Sequence, residues 1–166
     1  MTRLIEATLD DAEEIAALHT AVAKDLTVRH GRGPWSSITT AKGVLFGMKR
    51  AKVFITKKRQ HIVATLSLST RKPWAIDKAY FAHVARPLYL TGMAVAAAHQ
   101  GKGLGSRCVA EALRIAKAWP ADVVRLDAYD SPGGAGEFYA KCGFTEVARV
   151  VYRNVPLVYF ESISRV

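Results

Sequence analysis

Ile15, Leu18, Val22 and Leu26 recur at three- and four-residue spacing, so they share one face of a helix predicted from about residue 11 to 28. Asp10, with Glu13 three positions on, reads as its N-cap and capping-box partner, and His30-Gly31-Arg32-Gly33-Pro34 ends it. Residues 3–8 read as a short strand. A weaker helical stretch, from about Thr39 to Arg50, is interrupted by Gly43 and Gly47. The period then changes to two. Val53 to Thr56 is a strand, Lys57-Lys58-Arg59-Gln60 a polar turn, and Ile62 to Ser69 the antiparallel partner, with Ile62, Ala64, Leu66 and Leu68 on one side.

Residues 71–87 form a connection with Pro73 and Pro87 near its ends. It carries Trp74, Tyr80, Phe81 and His83, an aromatic content that suggests it packs over something. Leu88 to Val95 is a strand with Gly92 inside it, the mark of a bulge or of close approach by a backbone or ligand. A glycine cluster leads into a helix over about 103–118, with a core stripe of Leu104, Cys108, Ala112, Ile115 and Trp119. Val123 to Ala128 is a buried strand. Ala135 to Lys141 is a short helix stopped by Gly143, and Phe144–Tyr152 with Pro156–Ile163 is a hairpin turned by Arg153-Asn154. No repeat and no linker interrupts the pattern, so 1–166 reads as a single domain.

Half of the 166 residues are apolar. A chain of this size buries roughly two-thirds of its unfolded surface, so its core needs neither disulfide nor metal. Ordinary Gly and Pro usage excludes collagen-like and disordered classes. No apolar run reaches the ~18 residues of a membrane span, and the N-terminus lacks the pattern of a signal peptide. Cys108 and Cys142 form no Cys-x-x-Cys, which argues against a zinc ribbon and suits small buried thiols in a reducing cytoplasm. The net charge of +10 favours anionic ligands, among them a polyphosphate cofactor or an acidic partner. The basic knot of Lys49, Arg50, Lys52, Lys57, Lys58 and Arg59 reads as a solvated hairpin or helix end. Phe54 alone interleaves its charges and no reader motif accompanies it, which argues against nucleic acid.

The chemistry concentrates in Gln100-Gly101-Lys102-Gly103-Leu104-Gly105-Ser106, between a strand and a helix. Glycines there leave backbone N–H groups uncovered at a helix start, where a diphosphate is the natural guest. Lys102 and Arg107 add charge. A nucleotide-hydrolase loop needs Gly-Lys-Ser/Thr, which is absent. A dinucleotide fingerprint could use Gly101 and Gly103 with Asp127 as its acid, but Ser106 stands at the third glycine and five residues separate Val95 from Gly101. A glycine turn without a ligand is a further alternative.

A third reading rests on two motifs. Met93-Ala94-Val95 is followed by Gln100-x-x-Gly103-x-Gly105, and Phe138-Tyr139-Ala140-Lys141-Cys142-Gly143-Phe144 follows one helix and one strand later. In these the chain resembles the GNAT superfamily of acetyl-coenzyme A-dependent N-acetyltransferases. The resemblance implies an α/β (α+β) fold, a mixed, mostly antiparallel sheet of about seven strands flanked by about four helices. It implies acetyl-CoA as cosubstrate, no metal, and direct transfer of the acetyl group to a primary amine in a ternary complex. The diphosphate is expected on the N–H groups of Gly101, Lys102, Gly103, Leu104, Gly105 and Ser106, with Gln100 in the same motif, and the pantetheine arm along Met93, Ala94 and Val95. Tyr139 matches the family tyrosine near the coenzyme sulfur, a general acid.

The strand before the loop carries no carboxylate, so the base is left among Asp127, Asp77, His83 and water. Pro132 stands where many members have an asparagine. The acceptor, a small-molecule or peptide amine, is expected to enter from the side of residues 25–40 and 71–87, with Trp35, Trp74, Tyr80 and Phe81 as walls. No membrane partner is expected, and a homodimer is open. A non-catalytic acyl-CoA-binding module shares the glycine loop and is the alternative.

Overall fold

The computed structural model describes residues 3–163. One seven-stranded sheet organises them: β1 (Ile5–Glu6), β2 (Lys52–Lys58), β3 (His61–Ser69), β4 (Pro87–Val95), β5 (Val123–Tyr129), β6 (Thr145–Tyr152) and β7 (Val155–Ile163), in the order β1-β2-β3-β4-β5-β7-β6. Among these pairings β4 and β5 run parallel and the others antiparallel. The α-helices are α1 (Ala12–His30), α2 (Ala41–Met48), α3 (Leu104–Ala118) and α4 (Gly136–Lys141). The architecture is the mixed, mostly antiparallel one expected, and α3 supplies the crossover that a parallel pair requires.

Strand alternation divides the core between two faces. Leu66, Leu68, Leu88, Leu90, Val124 and Leu126 pack with α3 and with Tyr139 of α4. On the other face Ile15 and Leu18 of α1 and Val44 of α2 meet Val53, Ile55 and Ala94. Farther along, Ile76 and Phe81 of the 71–87 connection cover Tyr89, Leu157 and Tyr159. Arg125 fastens that cover. It is 2% exposed, pairs with Glu161 at 2.8 Å, donates to the Ala82 carbonyl at 2.8 Å and lies 4.5 Å from the Phe81 ring centre.

Local details depart from the sequence reading. A 3-10 turn at Leu9–Asp11 precedes α1, so its cap is Thr8 with Asp11, whose carboxylate accepts the Thr8 N–H at 2.8 Å, not Asp10 with Glu13. The turn expected at 57–60 narrows to Arg59-Gln60. Both have positive φ, as do Arg153 and Asn154 in the other hairpin, the type I′ pattern that suits strand twist. The buried stripe of α3 is Leu104, Cys108, Val109, Ala112 and Ala116, with Ile115 and Trp119 half-buried. Small residues let α3 lie close to the sheet, while the Trp119 ring takes the Lys52 ammonium at 4.9 Å. The basic knot forms no single patch: β2 holds Lys52 and Lys58 at opposite ends, and Lys57 pairs with Asp11 at 3.2 Å. No helix among the described residues is long and apolar enough to cross a membrane.

Candidate functional site

The site begins with one extra residue. Thr65 is opposite Ala94 and Ser67 opposite Thr91, which leaves Gly92 and Met93 facing Leu66 in a bulge. Gly92 sits at φ +59, a left-handed conformation that glycine adopts without steric cost. The insertion reverses the side-chain alternation. Leu88 and Leu90 face α3 before it, Met93 and Val95 after it, and Ala94 turns toward α1. On the other edge, β4–β5 pairing reaches only Tyr89 and Arg125, although both strands continue. Beyond that pair the strands part.

Two cavities lie at the opening. The first, about 430 Å³, is lined by β4, the glycine loop and Pro132. The second, about 460 Å³, is lined by His19, Trp35, Thr39, Asp127 and Tyr129, among others. Val22, Leu26, Met93, Ala94 and Tyr139 line both, so the two share a wall where the strands separate.

Gly101 and Gly103 take φ +72 and +82, and α3 starts at Leu104 with no side chain capping it. Its first N–H groups and its dipole are thus available to an anion. Gln100 ties the loop back to β4, its side-chain amide donating to the Val95 carbonyl at 2.8 Å. Gly105 has a packing reason: a Cβ there would stand 3.1 and 3.2 Å from the Phe138 ring. Of the residues expected on a cofactor, Met93, Ala94, Val95, Gln100, Gly101, Gly103, Gly105 and Ser106 line the first cavity. Lys102 and Leu104 do not. Leu104 points into the core, leaving its N–H as the group it can offer, and the Lys102 carbonyl accepts from Arg107 at 3.5 Å.

Tyr139 is 7% exposed and held edge-on between Phe138 and Phe144. No described residue hydrogen-bonds its hydroxyl. Burial, then Cys142 and Asp127, push its pKa above the ordinary phenol value, so it remains a proton donor at neutral pH. Asp127 projects from β5 into the second cavity, and burial raises its pKa against a hydrogen bond from its own N–H. Its charge also raises the pKa of Tyr129, after burial.

The other base candidates lie elsewhere. Asp77 caps the turn at Lys78–Tyr80, accepting the Ala79 N–H at 2.9 Å, and His83 is exposed; neither lines either cavity. The 71–87 connection also fails to wall the second cavity. Phe81 stacks on Tyr159, Tyr80 meets the same ring edge-on, and Trp74 is 82% exposed. Phe81, with Ile76, covers β4 and β7 instead. Trp35 does reach the cavity. Its indole donates to the Gly31 carbonyl at 3.0 Å, and its ring lies against Gly133 and 5.9 Å from Tyr129.

His19 was missed by sequence reasoning. Its signal was its place on the apolar side of α1, four residues after Ile15 and three before Val22. Burial lowers its pKa, which favours neutral imidazole. Its Cε1 is 3.9 Å from where a side chain on Gly92 would begin, which puts the ring beside the bulge. Cys108 is buried and Cys142 half-buried; burial raises both thiol pKa values. Among the described residues no group of three or more His, Cys, Asp or Glu could hold a metal ion.

The acetyltransferase (GNAT) family model matches residues 15–144. No curated protein matches the chain by sequence. Among solved structures, an N-acetyltransferase from Staphylococcus aureus Mu50 aligns with TM-score 0.72 at 14% identity, covering 99% of each chain. A ribosomal-protein-alanine N-acetyltransferase from Brucella melitensis gives 0.73 at 16%, over 97% of this chain and 99% of that one. A Salmonella typhimurium protein solved with its cofactor acetyl-CoA gives 0.70 at 16%, over 99% and 94%. At these identities the likeness is one of fold.

Proposed function

Since this chain belongs to the GNAT acetyltransferase family, we propose that it moves an acetyl group from acetyl-CoA to a primary amine within a ternary complex, as a single catalytic domain. The observation that carries this reading is Tyr139, a buried phenol without a hydrogen-bond partner among the described residues, on the wall shared by the two cavities.

In this reading the first cavity takes the coenzyme. N–H groups of residues 101–106 hold the diphosphate, and the arm lies along Met93, Ala94 and Val95, where β4 has no partner on its β5 side. The second cavity takes the acceptor. Asp127 attracts the ammonium and accepts its first proton, directly or through water. The nitrogen lone pair then forms the new C–N bond. Carbonyl π electrons move to oxygen, and N–H groups of β4 near Met93 stabilise that charge.

Collapse of this intermediate breaks the C–S bond, and Tyr139 protonates the departing thiolate. The new amide nitrogen must also lose its second proton. His19 is a neutral acceptor in the same cavity. Of two protons shed by nitrogen, one is balanced on sulfur through Tyr139 and one leaves to solvent. An acetyl-CoA-fed reaction and two free thiols suit the cytoplasm.

Calorimetry with acetyl-CoA, followed by a thiol-release assay against an amine and peptide panel, tests the proposal. Saturable binding with acceptor-dependent release of coenzyme A is expected. Absence of binding overturns it. Binding with no turnover across the panel makes the chain an acyl-CoA-binding module instead.

A further inference from the structure

We propose that the acceptor is a small primary amine with an aromatic or apolar body and no carboxylate. The inference rests on the acetyl-transfer reading above and concerns the second cavity alone. The chain has 24 Lys and Arg residues, yet none of those among the described residues lines this cavity. Its titratable lining consists of Asp127, His19, Tyr129 and Tyr139. Burial favours neutral imidazole, and it keeps both phenols protonated. Asp127 is then the formal charge in the cavity once it ionises.

An acceptor carboxylate would therefore enter beside a like charge with no Lys or Arg of the described lining to pair it, a costly arrangement away from water. An alkylammonium would find its counter-ion there. The overall charge of +10 would disfavour a cation, but exposed charges beyond about 10 Å are largely screened while a partly buried one is screened much less. The local lining therefore decides.

The remaining wall selects the body. Tyr129 donates its hydroxyl to the Pro34 carbonyl at 3.4 Å, and Trp35 lies edge-to-face with Tyr129 and against Gly133. The segment after α1 is thereby strapped to the end of β5 on the acceptor side. With Val22 and Leu26 these rings supply the apolar part of a mixed lining, and aromatic faces also attract cations. A cavity of about 460 Å³ suits a compact molecule.

The test measures thiol release from saturating acetyl-CoA with phenethylamine against phenylalanine, tryptamine against tryptophan, and spermidine as an amine without an apolar body. Each matched pair differs only in the carboxylate. The expected kcat/KM of each arylalkylamine exceeds that of its amino acid by about 100-fold and also exceeds that of spermidine. Asp127→Asn should lower it at least about tenfold with the calorimetric Kd for acetyl-CoA unchanged. Thr39→Lys, which adds a cation to the lining, should narrow the ratio within each pair.

Equal rates within the pairs, faster amino acids, or spermidine in the lead would overturn the inference. So would no turnover of any of these amines while acetyl-CoA binds, which leaves the coenzyme site standing. Failure of acetyl-CoA to bind instead removes the acetyl-transfer reading itself.

Discussion

Tyr89 and Arg125 form the last register pair between β4 and β5, and the site exists because pairing stops there. Four residues past Tyr89, Met93 lines both cavities; two past Arg125, Asp127 lines the second. The bulge keeps β4 bonded to β3 while freeing its other edge.

Tyr139→Phe separates catalysis from packing. The hydroxyl has no described partner, so its loss should leave the melting temperature nearly unchanged. If it protonates the thiolate, kcat should fall about 10²–10⁴-fold with little change in the KM for acetyl-CoA. Steady-state thiol release and a thermal melt report the two effects.

Gly134→Ala should be poorly tolerated. Its Cβ would stand 1.8 Å from the Tyr129 carbonyl oxygen, a backbone atom at the end of β5 that cannot swing aside. The expected cost is about 3 kcal/mol or more, the upper range for overpacking. Urea unfolding measures it, and the retained fold should bind acetyl-CoA more weakly because the 131–134 turn borders the first cavity.

Burial shifts Asp127 and His19 in opposite directions, and each has its own pH signature. The Asp127 pKa is raised in the folded state, so its contribution to stability is fully present below the unfolded carboxylate value and is lost as pH rises through the folded one. Asp127→Asn should therefore stabilise the fold at neutral pH. The His19 pKa is lowered, so its contribution is present above the ordinary histidine value of about 6.5 and is lost as pH falls through the folded one. His19→Asn should flatten the acid side of the stability curve. Urea midpoints measured across pH for both variants check the signs.

Arg125→Ala should unfasten the 71–87 connection. It removes the pair to Glu161, the bond to the Ala82 carbonyl and the stack on Phe81. Breaking a buried ion pair on one side costs about 3–5 kcal/mol. Limited proteolysis should then cut first within residues 71–87, and Arg125→Lys should recover only part of the loss, because one ammonium cannot reproduce the guanidinium fork.

Glycine patterns and apolar spacing are local properties, and they made much of this protein legible. The loop from Gln100 to Ser106, the helix after it, both hairpins, the bulge glycine Gly92 and the segment bearing Tyr139 could be read because backbone conformation and amphipathic period depend on near neighbours in the chain. Sheet order is not local. His19, Trp35 and Asp127 come from α1, the turn after it and β5, and they meet only because α1 packs across a sheet whose two central strands part. For the same reason Asp77, His83 and the aromatics of 71–87, plausible by residue type, lie away from the cavities, because Ile76 and Phe81 anchor their segment on the Tyr89 and Tyr159 face by burial of apolar surface. Local geometry determined where a helix start leaves its N–H groups uncapped and where β4 bulges. Long-range packing alone decided which side chains line the second cavity, because no period along the chain records which strands become neighbours.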